Sequence, residues 1–446
     1  MKKIIDAVEK NRQLIFDAER YIWENPETGY KEFKTSKYME EKFLELGYDL
    51  VKAEGITGFY TRIDTGREGP ELLILGELDS IICPAHKDAD KETGAVHSCG
   101  HNVQCATLLG IAAALKEPEV LDELCGSIRL CAVPAEELLE IEYRSKLKAE
   151  GKIKYFGGKS EFLSRGYFDG VDLAFMVHST AGENFAVTGG SVGCIAKNII
   201  YKGIAAHAGG SPWAGRNALY AATCGINAVN AIRETFRDSN LIRVHPIVTH
   251  GGDMVNAIPE TVTLESYVRG RTFEAIVDAN KKVNRALVGA ALSIGTNIEI
   301  IDISGYAPLI NDKNMMDVAK DAFEELEPDK TFGYSTSIGT GSTDMGDLSC
   351  IIPVVHPYAP GVTGRSHGSD YEVVDPETAC VLNAKWQLNM ARLLLGNNAE
   401  RAKRIISEYQ PQFESKEAYL AYVDALNARG ERITYNEDGT AIAIIE

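Results

Sequence analysis

Three stretches decide the fold class: ELLILGEL (71–78), ATLLGIAAALKE (106–117) and SIRLCAVP (127–134). The first and third are short runs rich in Leu, Ile and Val, as expected of strands covered on both faces. The second is an apolar stretch of helical length. Strand, helix, strand in that order predicts an α/β domain with a mostly parallel central sheet and flanking helices. VDLAFMVH (171–178) supplies a further strand. Upstream, Ile4, Val8, Leu14, Ile15, Ala18 and Ile22 fall at helical spacing. Asn25-Pro26 breaks that pattern, and a second amphipathic helix is expected over Ser36–Leu46.

Around Thr188 the style changes. GCIAKNIIY (193–201) alternates like a half-exposed strand, and a helix is expected over Asn217–Ile232. Strands at 243–249 and 259–269, a helix over Phe273–Leu292 and a strand at Asn297–Ile303 follow. This β-α-β-β-α-β order is that of a ferredoxin-like sandwich. From Pro308 the first style returns, with a helix, a strand near Ile351–His356 and a long helix over Pro376–Leu395. The tail beyond Gly396 is charged and helical and ends in a strand, TAIAIIE (440–446). The expected organisation is a catalytic domain in two parts, 1–187 and 306–446, the second carrying a C-terminal extension. A lid or dimerisation domain, 188–305, interrupts it.

Composition narrows the function. With 46 basic and 64 acidic residues, the formal charge of -18 disfavours nucleic acid and anionic membranes as partners. The basic start, MKKIIDAVEK, lacks the apolar core of a signal peptide, and runs such as Ile111–Leu115 are too short to cross a bilayer. Nine cysteines without a compact spacing framework read as reduced thiols, which makes the cytoplasm the expected compartment.

Several histidines lie where strands should end, beside acidic or thiol residues, and strand ends are where open α/β sheets build their sites. In HSCGHN (97–102), Cys99 and His101 form a Cys-x-His pair in a turn before a helix. Thiolate and neutral imidazole both ligate first-row metals, although a structural cysteine beside a capping histidine would look the same. Glu136-Glu137 follows a strand, so one carboxylate can bind metal while its neighbour faces a water; an acidic helix start is the alternative. His178 ends a strand, His367 lies in the loop TGRSHGSDY, and Asp79 ends ELLILGEL, where it could orient a ligand or cap a turn.

Taken together, these segments resemble the aminoacylase and carboxypeptidase-type metallohydrolases. The match is to the branch of auxin-conjugate hydrolases, N-acyl-amino-acid amidohydrolases and aminobenzoyl-glutamate hydrolases. HSCGHN is similar to that branch's His-Ala-Cys-Gly-His-Asp, and Pro134–Glu137 to its Pro-Ala-Glu-Glu; His178 and His367 match its strand-terminal and late loop histidines. AAHAGGSPWAGRNAL (205–219) and GGDMVNAIPE (251–260) resemble its lid segments. The resemblance implies that Cys99, His101, Glu137, His178 and His367 hold two divalent ions per subunit, zinc or manganese first, then cobalt or nickel. It makes Glu136 the general base; Asp79, read from its place at a strand end, is counted with Glu136 and His207 among the catalytic candidates. His207 and Asn256 would be lid residues that complete the neighbouring subunit's site in a homodimer. Arg269 and Arg271 are candidates to grip a substrate carboxylate; solvated strand ends are the alternative.

The implied reaction is hydrolysis of an amide bond in a small carboxylate-bearing substrate. Glu136 would take a proton from an activated water, and His207 would donate to the oxyanion. Glu77 stands where the branch has Asp, and Asn102 where it has Asp. The Ile141–Gly170 segment is longer than in auxin-conjugate hydrolases and, like GSTDMGDLSCIIPVVHPY (341–358), resembles the aminobenzoyl-glutamate hydrolase and dipeptidase subgroup. The rivals are a dipeptidase or aminopeptidase on the same scaffold, a non-catalytic binding protein, and a cysteine hydrolase built on Cys99 and His101.

Overall fold

The computed structural model describes residues 1–445. The chain divides into two compact units, Met1–Gly190 with Leu309–Gly339 and Thr343–Lys416, and Ser191–Pro308 with Thr340–Ser342 and the tail from Glu417.

The first unit is built on a six-stranded sheet in the order Val51–Lys52, Phe59–Asp64, Ser127–Val133, Glu71–Glu77, Leu173–Phe175 and Val354–Val355. The last four run parallel, and Phe59–Asp64 pairs antiparallel with both Ser127–Val133 and Val51–Lys52, so the expected mostly parallel sheet carries an antiparallel edge. Every residue of Glu71–Glu77 and Ser127–Val133 is buried, as central parallel strands require. The helix expected from the alanine-rich run covers His101–Leu115 and is buried on all sides. It packs against the helices Arg12–Glu24 and Asn383–Leu395. Gly110 permits the first contact, because a Cβ there would lie 2.5 Å from Ile15 Cδ1. Ile15, Ile22, Leu108, Leu109, Ile111 and Trp386 form the centre of this core.

In the second unit Gly193–Lys202 lies between Thr261–Gly270 and Asn297–Ser304, all antiparallel. The expected strand at 243–249 is two short pieces, Arg243–Val244 and Ile247–His250, both paired to Thr261–Gly270. Pro246, which has no N–H to donate, separates them. The helices Ala218–Ala231 and Phe273–Ile294 start on the caps Asn217 and Thr272 and pack together over the sheet. Gly193–Lys202 is half-exposed only from Asn198 onward; its first half is buried. There the Lys197 ammonium forms an ion pair with Asp302 and donates to Asn280.

The tail departs from expectation. Residues beyond Lys416 join the second unit and not the first, because the strand Ala428–Glu431 pairs with Asn297–Ser304 and extends its sheet. The expected final strand is Ala441–Ala443, paired with Ile433–Tyr435; Glu446 lies outside the described residues. Among the described residues no helix is long and apolar enough to cross a membrane.

Candidate metal centre

The turn that carries the Cys-x-His pair is fixed by Gly100, the helix N-cap, at φ +87°. A Cβ at that position would lie 2.0 Å from Ser179 Oγ and 2.4 Å from Tyr371 Oη, so only glycine fits. Ser179 in turn donates to the Cys99 carbonyl and hydrogen-bonds Tyr371. His367 also has a left-handed backbone, φ 63°, and its N–H donates to the Ser98 carbonyl at 2.8 Å. The late loop is thereby sewn to the same turn.

Five side chains from four separate segments converge here. Cys99 Sγ lies 3.3 Å from His178 Nε2 and 3.4 Å from His367 Nε2. His367 Nε2 lies 2.9 Å from Glu137 Oε1. Cys99, His101 and His178 form one group with ligand atoms within 4.8 Å of one another, and Cys99, Glu137 and His367 form another. Two of the three rings are oriented by their far nitrogen. His101 Nδ1 hydrogen-bonds the Asp79 carbonyl at 2.8 Å, and His178 Nδ1 the Ser179 carbonyl at 2.7 Å, which leaves both Nε2 atoms directed into the cluster. Asp79 Oδ2 also accepts from the Glu137 N–H at 2.9 Å, so this residue braces two of the five, His101 through its backbone carbonyl and Glu137 through its carboxylate.

The donor set fits divalent metal ions. His101 Nε2 and Glu137 Oε1 are buried without hydrogen-bond partners. The short His367–Glu137 approach lacks hydrogen-bond alignment at Glu137 Oε1, as expected of two donors aimed at a common point. Burial would raise the Cys99 thiol, but His178 and His101 hold it well below its usual range. Burial would lower the His101 imidazole, but Glu77 and Cys99 raise it well above. The Cys99 thiolate and the Glu137 carboxylate beside it hold His367 up at about 11. A buried thiolate and carboxylates therefore demand positive charge, and either protons on these rings or metal ions can supply it.

Glu136 follows Ala135, which has a strained φ of 55°, and no helix starts at the pair; the next begins at Ile141. Burial, Glu77 and Glu137 push its carboxyl well above the usual range. Glu136 Oε2 lies 4.0 Å from His101 Nε2, beside the cluster.

The remaining candidates lie in the second unit. His207 is exposed, and its Nδ1 accepts from the Gly209 and Gly210 N–H groups at 3.1 and 2.9 Å. A neutral ring held this way carries its proton on Nε2. The backbone segments of His207 and Asn256 are bridged, with the Ala208 N–H donating to the Asn256 carbonyl at 2.9 Å. Arg269 stacks over Tyr267 at 4.7 Å, and Arg271 is exposed.

Three buried groups escaped the sequence reading. Lys159 Nζ reaches Glu77 Oε1 and Asp344 Oδ1, each at 2.5 Å. Burial would raise Glu77, but Lys159 and His101 bring it down to about 2. Arg144 donates to the carbonyls of Glu137 and Phe156. His356 is 4% exposed, its ring nitrogens have no partner, and burial lowers it to about 3, so it is neutral. No sequence pattern marks a buried lysine or arginine; at most, HPY after a strand points to His356.

Fold and site define a class: a metal-dependent hydrolase of amide or peptide bonds. The model of peptidase family M20/M25/M40 matches residues 74–391, and the chain belongs to that family. It is 28% identical over 331 residues to indole-3-acetyl-aspartic acid hydrolase of Enterobacter agglomerans, covering 61% of this chain and 70% of that one. It is 29% identical over 365 residues to the Xaa-Arg dipeptidase of Mus musculus, covering 80% and 79%. Among solved structures, a dinuclear metal-binding peptidase of the M20 family from Bacillus subtilis superposes with a TM-score of 0.64 at 20% identity, over 87% of this chain and 99% of that one. The aminobenzoyl-glutamate utilization protein of Klebsiella pneumoniae gives 0.65 at 18% identity, over 86% and 97%. These two show likeness of fold.

Proposed function

We propose that this protein hydrolyses the amide bond of a small carboxylate-bearing substrate, an N-acyl amino acid or aminobenzoyl-glutamate, in the cytoplasm. The observation that carries the reading is the approach of His178 Nε2 and His367 Nε2 to one thiolate, Cys99, with Glu137 against His367. Cys99, His101, Glu137, His178 and His367 would hold two divalent ions, zinc or manganese in first place. When bound, such ions acidify water toward neutrality and polarise the scissile carbonyl.

The chain's own residues do the rest. Glu136, raised by burial and free of a helix dipole, takes the water's proton and passes it to the leaving amine. Asp79 holds His101 and the Glu137 backbone in place. His207 Nε2–H donates to the developing oxyanion, worth about 3–4 kcal/mol where single donors have been removed. His207 and Asn256, in a ferredoxin-like lid, act on the neighbouring subunit of a homodimer. Arg269 and Arg271 grip the substrate carboxylate.

A dipeptidase is the second reading, favoured by the 80% coverage in the match to the Xaa-Arg dipeptidase. Purified protein, stripped and reloaded with zinc or manganese, would be assayed on aminobenzoyl-glutamate, N-acetyl amino acids and dipeptides. Turnover of the first two classes above the third is expected. Dipeptides alone would select the second reading, and failure of all three with metal bound would overturn both.

A further inference from the structure

Three segments noted in the sequence meet at one place. Glu77, in a position usually Asp, ends the strand Glu71–Glu77. Lys159 comes from the long segment after the Glu136-Glu137 pair, and Asp344 from GSTDMGDLS. Their side chains are 1%, 0% and 0% exposed. Lys159 Nζ bridges the two carboxylates, and its backbone N–H donates to Asp344 Oδ2 at 2.8 Å.

Burying three charges does not by itself stabilise a fold relative to apolar packing, so the triad calls for another reason. Its neighbour supplies one. Glu77 Oε2 lies 3.1 Å from His101 Nε2, the atom directed at the metal centre, and the two are not aligned as donor and acceptor. Glu77, His101 and Glu136 place ligand atoms within 4.8 Å of one another. A carboxylate so near a bound cation would ordinarily bind it. Here Lys159 holds Oε1, and the Gln104 amide donates to Oε2 at 2.8 Å.

We propose that Lys159, backed by Asp344, is a positioning residue that keeps Glu77 off the ion at His101, so that a coordination position stays open for water and substrate. A hydrolytic metal site works only with such a position. Glutamate, one methylene longer than aspartate, spans from its strand to Lys159, while the counter-charge suppresses its appetite for the ion. This inference rests on the functional reading above.

The test uses the full chain, stripped and titrated with cobalt(II) against a chelator. Lys159→Met is expected to bind cobalt at least about tenfold more tightly, the scale on which groups behind the ligands act. Its visible absorption should weaken as coordination rises, and kcat should fall at least about tenfold. Lys159→Met/Glu77→Gln should return the affinity to the wild-type value. Weaker or unchanged cobalt binding in Lys159→Met overturns the proposal. Should that variant not fold, Glu77→Gln alone decides: two ions at wild-type affinity support the proposal, and loss of an ion makes Glu77 a ligand and overturns it. Wild-type protein that binds no pair of ions would remove the functional reading as well, a result distinguishable from all the others.

Discussion

Asn102, next to His101, donates through Nδ2 to Glu19 Oε1 at 2.8 Å, and both residues are buried. Burial already raises the Glu19 carboxyl. Replacing Asn102 by Asp would set two carboxylates face to face. At that separation two charges repel by about 6 kcal/mol at an effective dielectric of about 20. Keeping one carboxyl protonated at pH 7 costs less, about 1.36 kcal/mol for each of the roughly 2.7 units between pH 7 and a reference pKa of about 4.3. The smaller cost prevails, so Asn102→Asp should take a proton and lose about 2–4 kcal/mol at pH 7. The folded pair binds that proton more tightly than the unfolded chain. Its stability is therefore greatest below pH ~4.3 and falls as pH rises. At pH 5 the deficit should shrink to about 1 kcal/mol. Urea unfolding of variant and wild type at both values is the assay. A variant equal to wild type at pH 7, or a deficit the same at both, would refute the reasoning.

Glu136→Gln should retain its metal, measured by elemental analysis, and lose at least two orders of magnitude in turnover; near wild-type turnover would remove Glu136 from the mechanism. Gly100→Ala should lose metal binding, since its Cβ must displace Ser179 and Tyr371 from behind the Cys99 turn; equilibrium dialysis that still finds both ions would contradict this. Because His367 is held near 11 by Cys99 and Glu137, an incoming ion must displace its proton. Ion affinity should rise about tenfold per pH unit for each proton displaced, and a flat chelator-competition profile between pH 6 and 8 would count against that linkage.

The elements that the sequence reveals are those whose patterns arise from local burial. The apolar runs at 71–78 and 127–134 are strands because both faces are covered, and Asn217 and the Phe273 helix announce themselves by caps and periodicity. HSCGHN, the glutamate pair, His178 and His367 are legible as candidate donors because each sits in a recognisable turn or strand end. What stays hidden depends on partners far along the chain. Lys159 looks like any surface lysine until Glu77 and Asp344, 82 and 185 residues away, are seen around it. The tail's destination was equally unreadable: ARGE has no strand signature, and it pairs because Asn297–Ser304 offers it an open edge.

That pairing limits how the molecule can be cut. A chain stopped after Lys416 would leave the backbone donors and acceptors of residues 299–302 bare along an open margin. Such margins recruit other polypeptides, so a shortened version is expected to clump even with its first unit intact. Anyone trimming this protein for crystals should keep the last thirty residues, however dispensable they look.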